Sequence, residues 1–174
     1  GGDLLDVIFW DEIFSPTEKT QIRIDAPVVI MPGGQGTRLR PLTNVIPKPL
    51  IPIGDKPIIE DICDRFHAHG VQDFYVSLNY KAAMVEQYFL ENPKPYRLHY
   101  FQEDRPLGTA GSLRLLRQVL NRPFIVSNCD ILVEHDFSEI YTYHLENRCE
   151  LTALAALKLQ HVPYGVFECD EAGM

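Results

Sequence analysis

Long apolar runs are missing from this chain. No stretch approaches the roughly 18–20 consecutive apolar residues that a membrane-crossing helix needs, so no membrane partner is expected. No basic leader with an apolar core is present, which points away from secretion and toward the cytoplasm. Positive charge is scarce: 16 Lys and Arg stand against 24 Asp and Glu, a net charge of −8. That balance argues against nucleic acid as a partner. It does not forbid a nucleotide, because a few local cations outweigh a diffuse field. Cysteine is sparse and unclustered. Cys63, Cys129, Cys149 and Cys169 lie far apart with no Cys-x-x-Cys, so buried free thiols are expected rather than a zinc site. His67 and His69 are two apart, and a helix would point them to different sides.

What is present begins with residues 28–50. Val28 to Met31 is an apolar run that reads as a strand. It empties into Gly33, Gly34 and Gly36, followed by Thr37, Arg38 and Arg40, and two prolines then flank Lys48. Glycines directly after a strand let the backbone bend tightly and turn N–H groups toward a ligand. Two arginines and a lysine nearby suit an oligophosphate, Arg as a planar fork and Lys as a point charge. The run is neither a Walker loop, since no Gly-Lys-Ser/Thr follows, nor a dinucleotide fingerprint, since the third glycine is missing.

At 174 residues the chain suits one domain, with room for a short appendage. Helices are predicted over Ile58 to Phe66 (closed by Gly70, with Asp55 as a cap and Pro57 in the first turn), Ala82 to Leu90, Leu107 to Leu120 and Asp136 to Asn147. In the second of these, Met84, Val85 and Tyr88 form the expected core face. In the last, Glu139 stands three residues after Asp136 in a box-like start. Strands are predicted over Val71 to Leu78, Tyr96 to Phe101, Phe124 to Ser127 and Leu151 to Leu157. The alternation implies an α/β, Rossmann-like fold, a mainly parallel sheet flanked by helices. In such a sheet ligands sit beyond the carboxyl ends of the strands. The glycine-rich loop, Asn79-Tyr80, Gln102 to Gly108 and Asn128 to Asp130 all follow strands, so one rim gathers every unusual polar cluster. Glu103, Asp104 and Arg105 read as solvated loop charges.

Gly33 to Thr43 followed by Pro47-Lys48-Pro49 resembles the sugar-1-phosphate nucleotidyltransferases, the nucleoside-diphospho-sugar pyrophosphorylases. The resemblance covers residues 27–174. It implies that these enzymes' reaction applies: a nucleoside triphosphate and a sugar 1-phosphate give nucleoside-diphospho-sugar and pyrophosphate, by in-line attack at the α-phosphorus. On that resemblance Gly33, Gly34, Gly36, Thr37 and Arg38 bind the nucleotide phosphates. Arg38 also meets the leaving pyrophosphate, and Lys48 the charge at the α-phosphate. Phe124 to Asp130 resembles the family's strand ending in a Mg²⁺-binding aspartate, here Asp130. The family has Gly before that Asp and this chain has Cys129, a side chain expected to narrow the space by the metal. Gln102 and Gly108 match the family's base-binding stretch, and Gly165, in Tyr164-Gly165-Val166, its sugar contact.

The family's Glu-Lys-Pro motif and second metal-binding Asp come later than Tyr-Gly-Val and are not reached by Met174. The expectation is therefore a C-terminally incomplete nucleotidyltransferase domain. Residues 1–26 are expected to be an N-terminal arm or linker. They resemble the tail of a CBS domain, a nucleotide-sensing module. The alternative is an arm that packs on the domain or on a neighbouring subunit. The Asn-Cys-Asp variant and that tail resemble a guanylyltransferase-like branch, which favours GTP over dTTP or UTP. The rival readings are a non-catalytic regulatory or sugar-nucleotide-sensing module and, last, a glycosyltransferase, for which no Asp-x-Asp stands at the strand end. The sugar and the state of any homo-oligomer are not readable.

Overall fold

The computed structural model describes residues 22–31, 36–103, 107–108 and 110–156. Gly33, Gly34 and Gly165, and residues 1–21 of the N-terminal arm, lie outside the described residues. The sheet is built from β1 (Val28–Met31), β4 (Asp73–Leu78), β5 (Arg97–Gln102) and β6 (Ile125–Asn128), in the order β5-β4-β1-β6. Every pairing in it is parallel. Two short strands, β2 (Pro52–Ile53) and β3 (Lys56–Pro57), form a separate antiparallel hairpin. The helices are α1 (Leu42–Val45), α2 (Ile58–Ala68), α3 (Ala82–Glu91) and α4 (Phe137–Glu146), with 3-10 turns at Thr37–Leu39, Lys48–Leu50 and Gly111–Leu116. No helix among the described residues is long and apolar enough to cross a membrane.

The centre of the sheet is β1, whose four residues are all buried because apolar side chains leave it on both faces. Val28 and Ile30 join Ile59, Ile62, Cys63 and Phe66 of α2, Val85 and Phe89 of α3, and the partly buried Phe137 and Tyr141 of α4. Val29 and Met31 face the opposite way, against Leu116 with Leu113 and Leu120. Covering on both faces is what a parallel sheet requires.

Four local expectations give way to packing. The helix expected over Leu107 to Leu120 is a 3-10 helix at Gly111–Leu116. Leu113 and Leu116 are three apart, which serves a 3-10 period as well as an α period, and Gly111 and Ser112 are poor α-formers. The core face of α3 is Ala82, Val85 and Phe89, while Met84 is exposed. Asp55 sits in the β2–β3 turn and Pro57 at the N-cap of α2, which has no side-chain cap. Leu151 to Ala156 is not a strand: Leu151 and Leu154 are exposed, and no strand among the described residues pairs with it. Asp136 does cap α4, its carboxylate accepting from the Ser138 N–H at 2.8 Å.

Asp73 ties β4 to β5. Arg97 donates twice to its carboxylate, at 2.7 and 2.6 Å, and His99 lies at 3.1 Å. The Arg97 hydrogen bonds chiefly hold the carboxyl down to about 2. A lowered folded value contributes stability above the unfolded value of about 4, lost as the pH falls toward about 2. Asp73→Asn should therefore destabilise the fold by less than about 1 kcal/mol at neutral pH, because Arg97 is largely solvated. Urea midpoints of variant and parent should converge near about pH 2. A gap that persists there would mean the Asp73 contribution is not electrostatic.

Candidate active site

The carboxyl ends of β1, β4, β5 and β6 share one rim, because the sheet is parallel. The glycine-rich loop leaves β1 there. Gly36 is held in the left-handed region at φ +65, the start of the Thr37–Leu39 turn. The reason lies beneath it: a Cβ at this position would stand 2.8 Å from Thr43 Cγ2 and 3.5 Å from Lys48 Cβ. Thr43 is buried and donates from Oγ1 to the Gly36 carbonyl at 2.9 Å. Gly36, Thr43 and Lys48 thus form one packed unit, with Thr37 and Arg38 exposed just beyond it.

Lys48 opens the next 3-10 turn, preceded by the buried Pro47. Its Nζ lies 2.6 Å from Asp130 Oδ2, across 82 residues of chain. Asp130 follows β6, which pairs directly with β1. The ion pair therefore joins the exit of the glycine-rich loop to the exit of the neighbouring strand. Lys48 is mostly buried, with its side chain 17% exposed, and Asp130 is 46% exposed. The carboxylate still faces water and can receive a ligand. Among the described residues no three His, Cys, Asp or Glu side chains gather as a metal cage.

Cys129 does not narrow this space. It is fully buried and packs into the core with α2 and α4. Burial pushes its thiol up to about 12, so it is a protonated packing group. Counting by twos from Ile125, which packs on the same cluster, would have placed it there. Cys63 is likewise buried and forms no disulfide.

Gln102 ends β5, exposed, on the same rim. Gly108 has φ +83, and no atom stands within 4 Å of where its Cβ would be, so one face of it is unobstructed. Glu103 is not a solvated charge: its Oε2 accepts from the Leu107 N–H at 3.0 Å and draws the two ends of this loop together. Asp104 and Arg105 lie outside the described residues.

A cavity of about 420 Å³ lies at the other end of the strands, lined by Arg23, His67, His69 and Gln72. His67 and His69 both border it, yet their rings go to different partners, His67 to Tyr96 and the Val71 carbonyl, His69 to Phe137, with His69 Nδ1 3.4 Å from Asp136 Oδ1. The cavity is remote from the Lys48–Asp130 rim.

Residues 27–174 match the family model described as nucleotidyl transferase. The chain is 36% identical over 143 residues to a mannose-1-phosphate guanyltransferase of Yarrowia lipolytica, covering 79% of this chain and 39% of that protein. It is 36% identical over 149 residues to one of Saccharomyces cerevisiae, covering 83% and 41%. It therefore spans about two fifths of the length of the curated relatives it matches. Among solved structures it resembles HddC from Yersinia pseudotuberculosis complexed with GMP-PN, at 32% identity and a TM-score of 0.62, covering 70% of this chain and 55% of that one. It also shares the fold of UDP-glucose pyrophosphorylase complexed with UDP-glucose, at 21% identity and a TM-score of 0.61, covering 71% and 54%. The glycine-rich run from β1, the Pro-Lys-Pro turn and this match over 27–174 agree: the chain belongs to the nucleotidyl transferase family, among the sugar-1-phosphate nucleotidyltransferases.

Proposed function

We propose that this chain forms the nucleotide-binding part of an enzyme that transfers a nucleoside monophosphate from a nucleoside triphosphate to a sugar 1-phosphate, releasing pyrophosphate. The observation that carries the reading is the Lys48–Asp130 pair at 2.6 Å, set beside the Gly36 turn. One cation and one acid, on loops leaving adjacent strands, are brought together where phosphates would lie. Residues 27–174 are read as the nucleotidyltransferase unit and 1–26 as its arm or linker.

In this mechanism backbone N–H groups of Gly33 to Thr37 hold the triphosphate. Arg38, exposed at the lip, stabilises charge on the departing pyrophosphate, and Lys48 the charge around the α-phosphorus. A sugar phosphate oxygen attacks that phosphorus in line, so no covalent enzyme intermediate forms. The chain's contribution is positioning and charge stabilisation. Asp130 would hold Mg²⁺ together with triphosphate oxygens. A single accessible carboxylate beside phosphates fits that ion, which takes one or two carboxylates plus phosphate oxygens and water. When bound, the ion neutralises phosphate charge. Lys48 already sits on Asp130, so Lys48 must share or yield that carboxylate as the triphosphate arrives.

Gln102 reads the base edge, offering both donor and acceptor, and the unobstructed face of Gly108 accepts the base. Gly165 would touch the sugar. The named relatives that exceed 30% identity act on mannose 1-phosphate with a guanylyl group, or were solved with GMP-PN. They support GTP and a hexose 1-phosphate as the first substrates to try. The test is a panel of nucleoside triphosphates against sugar 1-phosphates, read by pyrophosphate release from the protein carrying this chain. Release only with GTP and a hexose 1-phosphate supports the full reading. Tight nucleotide-sugar binding with no release and no pyrophosphate exchange would assign the chain to a sensing or regulatory role instead.

Gly108→Ala tests the base site separately. Nothing blocks the new methyl within the protein, so its fold cost is only the φ strain, about 1 kcal/mol. Nucleotide affinity should nevertheless fall about tenfold, equivalent to about 1.4 kcal/mol, as the methyl enters space the base needs. Affinity equal to the parent's, by fluorescent-nucleotide titration, would place the base elsewhere.

A further inference from the structure

Lys81 occupies a backbone position that suits glycine. It follows Asn79 and Tyr80 at the exit of β4, precedes α3 and sits at φ +57, ψ +37. A lysine in the left-handed region is strained, and such strain persists only where the surroundings hold it. Its side chain shows what holds it. Nζ donates to the carbonyl of Asn44 at 2.6 Å and to the carbonyl of Val45 at 2.7 Å, and lies 5.2 Å from the centre of the Tyr80 ring.

Those two carbonyls end α1. The helix has four residues, and Ile46 N–H returns to Leu42 O, leaving the last carbonyls pointing out without a partner in the helix. An ammonium is the group such an end attracts. A glycine at residue 81 would relieve the backbone but could not reach them.

The consequence is carried along α1. Thr43, inside this helix, holds the Gly36 carbonyl, and one residue past Ile46 begins the Pro47-Lys48 turn that meets Asp130. A cation from the β4 exit thus fixes the short helix between the two cationic positions of the rim. We propose that Lys81 is a positioning residue for the triphosphate: it does not touch substrate, but clamps α1 so that Arg38 and Lys48 keep their spacing. This rests on the proposed function of the segment 36–50.

The test uses Lys81→Gly, Lys81→Met and Lys81→Arg in the protein carrying this chain. Two readouts are independent of each other. Without nucleotide, amide hydrogen exchange over residues 36–50 should quicken at least tenfold in Lys81→Gly and Lys81→Met and stay near the parent in Lys81→Arg. Lys81→Gly should nonetheless melt at or above the parent temperature, because the left-handed strain is gone. With nucleotide, KM for the Mg²⁺-triphosphate should rise about tenfold in Lys81→Gly while KM for the sugar 1-phosphate holds. Unchanged exchange over 36–50 overturns the clamp whatever the activity. Faster exchange with unchanged triphosphate affinity leaves the clamp standing but overturns the reading that this segment holds the triphosphate. A Lys81→Arg variant as impaired as Lys81→Gly would overturn the clamp, since Arg supplies the same charge to the same carbonyls.

Discussion

Asp130→Asn is expected to lower turnover by a hundredfold or more, and Lys48→Met by a similar factor, with little change in folding stability. The two magnitudes separate chemistry from scaffold. Asp130 is nearly half exposed, so its ion pair with Lys48 contributes about 0–1 kcal/mol to the fold. A donor or cation aimed at charge that develops in a transition state is worth about 3 kcal/mol, the free energy of a hundredfold rate change. Lys48→Met keeps the apolar stem that packs near Gly36 and removes only the charge. In that variant Asp130 loses its partner but keeps its water. Asp130→Asn keeps an oxygen that can still accept from Lys48 while losing the carboxylate a divalent ion prefers. Its residual rate should respond weakly to Mg²⁺ over a range that saturates the parent. Melting temperatures of both variants should stay close to the parent. If turnover stays within about threefold of the parent, or the Mg²⁺ response of Asp130→Asn is unaltered, the rim does not carry the reaction through this pair.

The features legible in the chain were those whose signal is carried by residue type at fixed spacing. Val28 to Met31 is a continuous apolar run ending in glycines, and it forms the doubly buried central strand. Ile58, Ile59, Ile62, Cys63 and Phe66 recur at helical spacing and bury one face of α2. The parallel order could be argued from alternation alone, and with it the shared rim that brings Lys48 and Asp130 together over 82 residues. What could not be read were choices between near-equal local states. Leucines three apart do not say α or 3-10, and packing against Val29 and Met31 selected a 3-10 turn. Met84 and Ala82 offered two adjacent faces of α3, and the core took the smaller residue. Lys81 left no mark, because its partners are carbonyls, which every residue has. Glu103 looked solvated for the same reason: its partner is a backbone N–H. Thr43 stood inside the recognised run, yet only its burial beneath Gly36 shows what it does.

Gly36→Ala is expected to be the most damaging glycine-to-alanine change among the described residues, and its origin can be isolated. Two costs coincide there. Alanine at φ +65 is strained by about 1–2 kcal/mol. The new methyl would also stand 2.8 Å from Thr43 Cγ2, an overpacking that costs typically about 1–3 kcal/mol. Thr43 cannot easily give way, being buried, bonded to the Gly36 carbonyl and set in the helix that Lys81 clamps. The turn itself must move, carrying Arg38 from its place, so triphosphate affinity should fall by a hundredfold or more. Gly54→Ala is the control: Gly54 has φ +63 but no atom within 4 Å of the added Cβ, so it bears the strain without the clash. Thr43→Ser removes the obstructing methyl and keeps the hydroxyl that holds the Gly36 carbonyl. In Gly36→Ala with Thr43→Ser much of the lost affinity should return, and the double-mutant cycle should show a coupling of about 1–3 kcal/mol between neighbours in contact. Failure of the serine to restore binding would locate the damage in the backbone angle alone. Parent-like affinity in Gly36→Ala itself would remove the turn from the nucleotide site.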